Sequence, residues 1–289
     1  MENNNYIIFK KQRDIGSIIN DTFKFLRLEW KPFFGYVFKI AIIPILLAVA
    51  AMIYYTYESS KFFSSIDFLN PTTFTSEIYF SNSSELFFSS FLLTTLYLIA
   101  YVFVNISSLY YVKSYIENKG IVNFEEIKRQ ADEKFWAFIG LGILTAVITF
   151  VSVFLFILPV IYTSVVLSLA SSLLVFENKS VSQAIGDSFN FVKGHWWETF
   201  GVFIVISFIV SILGFMISTP VLIYQSNQIL TESLSLINPE NSTISLTMFS
   251  DPIYIFLNVL VSAAQFLLHS ITLIATVLIY FDIYQQKTA

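Results

Sequence analysis

Six stretches of this chain are apolar over lengths that leave few ways to fold. Residues 33–55, 86–112, 136–158, 159–175, 199–224 and 252–281 together contain a single formally charged side chain, Lys39. A run of about 20 apolar residues crosses the roughly 30 Å hydrocarbon layer as a helix. Within that layer only helices and closed barrels satisfy every backbone polar group. Continuous apolar runs without in-out alternation select the helix. The expected fold is all-α: a polytopic membrane protein of six transmembrane helices, with residues 1–289 as one integral membrane domain.

Composition agrees, with 56% hydrophobic and 12% charged residues and a mean hydropathy of +0.71. The bilayer then takes most of the length, which excludes a large soluble catalytic domain. The net charge of -4 says little about partners, and no basic tract points to nucleic acid. Cysteine is absent, so disulfides, thiolate metal sites and cysteine nucleophiles are excluded. The polar first thirty residues lack a short apolar core with a small-residue cleavage site, so the first span is expected to act as the targeting signal.

An internal repeat organises the chain. Ile185, Asp187, Ser188, Phe189, Phe191, Val192, Lys193, Trp196, Phe200 and Gly201 match Ile19, Asp21, Thr22, Phe23, Phe25, Leu26, Arg27, Trp30, Phe34 and Gly35 at one offset of 166 positions, without a gap. An acid, a base and a tryptophan recurring at fixed spacing read as a duplication. It divides the domain into repeat 1 (14–117), a central hairpin (121–178) and repeat 2 (180–285). Residues 1–13 read as a polar tail. Ile15, Ile18, Ile19, Thr22, Phe23, Leu26 and Trp30 form one apolar stripe. They predict an amphipathic helix that ends near Pro32 and lies in the membrane interface. Residues 180–197 predict its second copy. Asp21 falls away from the stripe and is expected at the solvated surface. The motif positions Asp21, Phe23, Arg27, Trp30, Asp187, Phe189, Lys193 and Trp196 are candidates for contact with lipid headgroups or a cytoplasmic partner. Trp30, Trp136, Trp196 and Trp197 fit an aromatic belt.

Loops 58–85 and 225–251 are acidic and contain one base, Lys61. The bases Lys10 to Lys31, Lys113 to Lys134, Lys179, Lys193 and Lys287 fall on the opposite side of a six-span arrangement. By the positive-inside rule both termini and the amphipathic segments face the cytoplasm, and the two repeats are parallel. In a eukaryotic membrane Asn82 and Asn241 would be outer-face glycosylation acceptors. A shorter amphipathic pattern, Phe124, Ile127, Ala131 and Phe135, follows Asn123, which together with Glu126 predicts an N-terminal cap.

Spans two and six carry matching polar stripes. At an offset of 168, Ser90, Thr94, Tyr97, Tyr101 and Ser108 fall on Asn258, Ser262, Gln265, His269 and Thr276, and Asn105 and Thr272 lie on or beside the same faces. Such groups in hydrocarbon turn toward protein or water. The stripes predict that spans two and six line the interior, as interhelical hydrogen-bonding contacts or as a solute path. The contact reading is preferred because no acid or base sits deep in a span. His269 is the sole candidate proton switch.

Enzyme chemistry has no support. The two histidines, His195 and His269, lie in different environments, and HExxH, GxSxG and phosphate-binding glycine loops are all missing. No cofactor is expected.

Ile157-Leu158-Pro159-Val160-Ile161-Tyr162, Leu173-Leu174-Val175-Phe176-Glu177-Asn178, and Ala184-Ile185 with Asp187-Ser188-Phe189 and Trp196 carry a resemblance. This stretch resembles bacterial six-helix inner-membrane proteins similar to the membrane domain fused to some glycerophosphodiester phosphodiesterases. Ile185 stands where that pattern has Leu. The soluble phosphodiesterase barrel is not part of this sequence, so the resemblance implies a fold and a bacterial inner membrane and implies no phosphodiesterase activity. The resulting expectation is a non-enzymatic scaffold or subunit of an inner-membrane complex, its partners being the lipid bilayer and a membrane or cytoplasmic protein. The alternative is a permease or lipid-handling transporter that uses the stripes.

Overall fold

The structure is a computed structural model. It describes residues 6–64, 76–155, 157–235 and 251–288, with side chains outside 63–82, 156–157 and 232–250. Among the described residues every regular element is a helix: α1 (Ile15–Ser64), α2 (Ser76–Glu117), α3 (Phe124–Phe154), α4 (Ile157–Ser168), α5 (Ala170–Phe176), α6 (Val181–Val192), α7 (Trp196–Ser235) and α8 (Pro252–Thr288). Six helical stretches are long and apolar enough to cross a membrane: Ile15–Phe62, Ser83–Glu117, Phe124–Phe154, Leu158–Phe176, Trp196–Thr231 and Pro252–Thr288.

Several boundaries differ from expectation. The first amphipathic segment does not stop near Pro32, because α1 continues as one helix of 50 residues. Its buried face explains this: Ile18, Thr22, Phe25, Phe33, Val37 and Ala41 form one stripe on both sides of the proline. Packing along that stripe outweighs the one backbone hydrogen bond that Pro32 removes. The second copy does break. Ser180 caps α6 in a capping box with Gln183. The helix then ends at Lys193, Gly194 adopts φ +89°, and α7 starts at Trp196. The left-handed φ suits glycine. In the 166 register its counterpart is Leu28, a good helix former, and there the helix runs on.

Asn123 caps α3 as expected, its Oδ1 accepting from the backbone N–H of Glu125 (3.1 Å) and Glu126 (3.3 Å). The short amphipathic pattern and the third span form this single helix, since Ile127, Ala131, Phe138 and Leu141 share a buried face. The fourth span is divided into α4 and α5 at Leu169. Much of both expected loops is helical, and Glu58 is buried at 5% exposure within α1. Asp67, Glu240 and Asn241 lie outside the described residues.

The chain forms two compact units. The first comprises Met1–Ala41, Tyr101–Ile212 and Leu267–Ala289, and the second Ile42–Ala100 and Leu213–Phe266. In the first unit α2 is buried nearly all round from Val104 to Val112, as is α8 from Leu273 to Ile283. A helix enclosed on every side is a central one. Phe25, fully buried, meets the rings of Phe9, Phe33, Tyr111 and Tyr115 edge-on at 5.2–6.5 Å. The expected polar tail is therefore partly core. Ile7 and Phe9 are 4% and 1% exposed, and the Ile7 N–H donates to the Tyr115 hydroxyl at 3.1 Å.

In the second unit the buried side chains include Ala48, Ala51, Ser59 and Ser89. Small residues let helices approach closely in a membrane. Lys61 of α1 lies 3.3 Å from Glu58 in its own helix and reaches across to Glu85 of α2 at 3.7 Å. Gln225 donates to the Tyr254 hydroxyl at 3.1 Å.

Candidate functional site: polar stripes and a charged helix end

The stripes of α2 and α8 meet at two of their five aligned positions. In the second unit the Tyr97 hydroxyl donates to Gln265 Oε1 at 3.3 Å, and the Tyr97 ring stacks on Phe266 at 5.0 Å. Ser90 and Thr94 return their hydroxyls to the carbonyls of Phe87 and Ser90, Asn258 donates to the Tyr254 carbonyl, and Ser262 contacts Met52 Sδ at 3.6 Å. Gln265 and Thr94 stay exposed on this unit.

In the first unit His269 lies between two α2 side chains. Its Nδ1 is 3.4 Å from the Tyr101 hydroxyl, its Nε2 is 3.4 Å from Asn105 Oδ1, and the Tyr101 and His269 ring centroids are 4.3 Å apart. The neutral imidazole has one donor and one acceptor, and these two partners can serve both. Thr276 donates to the Thr272 carbonyl at 2.7 Å, and Ser108 is buried with no hydrogen-bond partner for its hydroxyl. The stripe pairs that sequence alignment sets opposite each other, Tyr97 with Gln265 and Tyr101 with His269, are those that touch.

The charged end of the first unit corrects one expectation. Asp21 is not solvated surface: it is 8% exposed and accepts from Arg13 Nε at 3.0 Å, with Lys11 Nζ also at 3.0 Å. The Arg13 side chain is fully enclosed. Its remaining guanidinium N–H groups donate to the carbonyls of Phe9 (2.6 Å), Lys11 (3.1 Å) and Ile8. The Arg13 backbone N–H donates to Asp282 Oδ1 at 2.7 Å. One arginine thus folds the extended N-terminal segment against α1 and α8. Asp14 then caps α1 by accepting from the Ser17 N–H at 3.1 Å, and hydrogen bonding from Ser17 holds its carboxyl below the usual aspartate value.

A second cluster stands before α6. Lys179 Nζ lies 2.6 Å from Glu177 and 2.8 Å from Asp187, and Glu177 also accepts from the Tyr280 hydroxyl at 3.1 Å. Burial pulls the Lys179 ammonium downward, but hydrogen bonds to Asp187 and Glu177 outweigh it and raise its pKa above the ordinary lysine value. Arg13 and Lys179 are residues that motif reading missed. The signal was available: the 166 register continues upstream and sets Arg13 on Lys179 and the cap Asp14 on the cap Ser180.

The other motif positions are spread. Phe23 and Phe189 are half-buried, and Phe189 faces Tyr162 at 6.4 Å. Arg27 and Lys193 are exposed. Trp30, Trp136 and Trp197 are exposed, whereas Trp196 stacks between Tyr162 and Phe200 with its indole N–H buried and unpartnered. Among the described residues no group of three or more His, Cys, Asp or Glu side chains is placed to hold a metal ion.

No curated protein and no solved structure matches the chain. One family does, over residues 120–283, which takes in α3 to α7 and most of α8, including the Lys179 cluster and the stripe on α8. That is more than half of the sequence, and the chain belongs to the family described as a domain of unknown function (DUF7847).

Proposed function

We infer that this is a non-enzymatic integral protein of a bacterial inner membrane, with both termini cytoplasmic, serving as a scaffold or subunit of a membrane complex. The observation that carries this reading is that the polar groups at the middle of the two stripes bond one another: Tyr97 to Gln265, and Tyr101 and Asn105 to His269. A catalytic or transport site needs groups left for a substrate, and these are used in holding α2 to α8. The bases at Arg13 and Lys179 likewise have partners within the protein. Surfaces for a membrane or cytoplasmic partner are then the exposed parts of α1, α6 and α7, including Arg27, Trp30, Lys193 and Trp197. The resemblance of residues 157–201 to the membrane domain fused to glycerophosphodiester phosphodiesterases fits the same reading.

A double-mutant cycle on Tyr101→Phe and His269→Leu tests the contact role. Each variant is expected to lower stability in detergent, with a coupling between them of about 0.6 to 1.7 kcal/mol. Zero coupling with wild-type stability in all three variants would remove the support. A permease or lipid-handling transporter is the second reading. It is favoured by one observation, that Gln265 and Tyr101 stay exposed in their respective units. A polar group exposed at membrane depth needs water or protein around it.

A further inference from the structure

We propose that α1 carries a site for one anionic phospholipid headgroup at Lys39, over Gly35, with Lys31 as a second nearby charge. This rests on the reading that α1 crosses a membrane. Charge sorting along the helix is the first observation. Between residues 21 and 39 the two acids are turned inward, Asp21 to Arg13 and Lys11, and Glu29 to the Tyr111 hydroxyl at 2.8 Å. The four bases Lys24, Arg27, Lys31 and Lys39 are all exposed, and no ion pair among the described residues includes any of them.

Lys39 is the second observation. It lies inside the apolar run that begins at Phe33, where an ammonium without a counter-charge is costly. Two rings cover part of it, Phe124 at 5.8 Å and Tyr36 at 5.9 Å. They attract the cation and leave it without an anion.

Gly35 is the third. Lys31, Gly35 and Lys39 follow at steps of four along neighbouring faces, and the two lysine Cα atoms are about 12 Å apart along the axis. Side chains on a helix lean toward its N-terminus, so the Lys39 ammonium reaches back toward the level of Gly35, while the Lys31 ammonium lies 5.6 Å from the Trp30 ring and supplies a second exposed charge one turn earlier. A Cβ built on Gly35 would meet nothing within 4 Å. An open helix face at Gly35 beside an ammonium without an anion, just inside the start of the apolar run, suits a phosphate diester whose acyl chains continue beside the span. The occupant is an anionic lipid of the surrounding leaflet, held by charge and by depth.

The test uses the full chain purified in mild detergent, with native mass spectrometry in an equimolar mixture of phosphatidylglycerol and phosphatidylcholine. Wild type is expected to retain one phosphatidylglycerol with about fivefold preference. Lys31→Gln with Lys39→Gln should abolish the preference. Gly35→Leu should do the same by covering the open face beside Lys39 with every charge still present, which separates a site from diffuse attraction. It enters open space, so it keeps the test valid if the double variant fails to fold. Equal binding of both lipids by wild type, or an undiminished preference in Gly35→Leu, would overturn the proposal. Carbonate extraction of the reconstituted protein runs alongside. A chain washed from the vesicles contradicts the membrane reading itself, whereas a retained chain with no lipid preference contradicts this site alone.

Discussion

Arg13→Ala is expected to cost about 3 to 5 kcal/mol of stability, the range for removing one partner of a buried ion pair. The guanidinium is fully enclosed, and it serves the Asp21 carboxylate and the carbonyls of Ile8, Phe9 and Lys11 together. An alanine there leaves four acceptors without this donor, of which the Asp21 carboxylate and the Phe9 carbonyl make buried contacts. Lys11 retains one contact with Asp21 but is half-exposed and does not replace the arginine at the carbonyls. Arg13→Lys should recover less than half of the loss, because a single ammonium cannot reproduce the planar fork of five donors. Reversible unfolding in mixed micelles reads both variants. Stability of Arg13→Ala within about 0.5 kcal/mol of wild type, the usual span for surface changes, would show that the enclosed guanidinium is not needed.

Phe25→Ala should cost a comparable amount, about 3 to 5 kcal/mol for an aromatic side chain deleted from a packed core. Phe25 is fully buried among Phe9, Phe33, Tyr111 and Tyr115, so the cavity would be lined by four large rings that cannot easily close over it. Edge-to-face geometry adds to the area term. The neighbouring Trp30, 54% exposed, provides the control. Trp30→Ala should leave detergent stability within about 0.5 kcal/mol of wild type. The two substitutions differ in environment far more than in volume, and equal losses would contradict the assignment of Phe25 to the core.

Much of this architecture is legible in the sequence because long apolar runs of near-constant character limit the choices. Long uncharged runs become helices, and the Asn123 cap and the stripe partners follow from residue type and helical spacing. The parts that are not legible depend on tertiary context. A helical wheel puts Asp21 on the polar side, and only the returning N-terminal segment, which ends at Arg13, buries it. That segment had its own signal in the alternation of Ile7 and Phe9 with exposed Ile8 and Lys10, a strand-like period in a stretch short enough to read as a tail. Pro32 looks like a helix end until the buried face on both sides of it is seen. Gly194, two positions before Trp196, marks a break that Leu28 in the matching position does not make.

Whether the stripes serve as contacts between α2 and α8 or line a watery path is decided most directly by thiol accessibility. The chain contains no cysteine, so single cysteines at Thr94, Ser262 and Gln265 need no background removed. In sealed membranes these three are expected to stay unreactive toward a charged, membrane-impermeant thiol reagent. A fourth cysteine at the exposed Lys193, on the face proposed to be cytoplasmic, should be modified once that face is opened. Rapid modification at Ser262 and Gln265, at rates matching Lys193, would mean that water reaches the stripes and would contradict the scaffold reading in favour of transport.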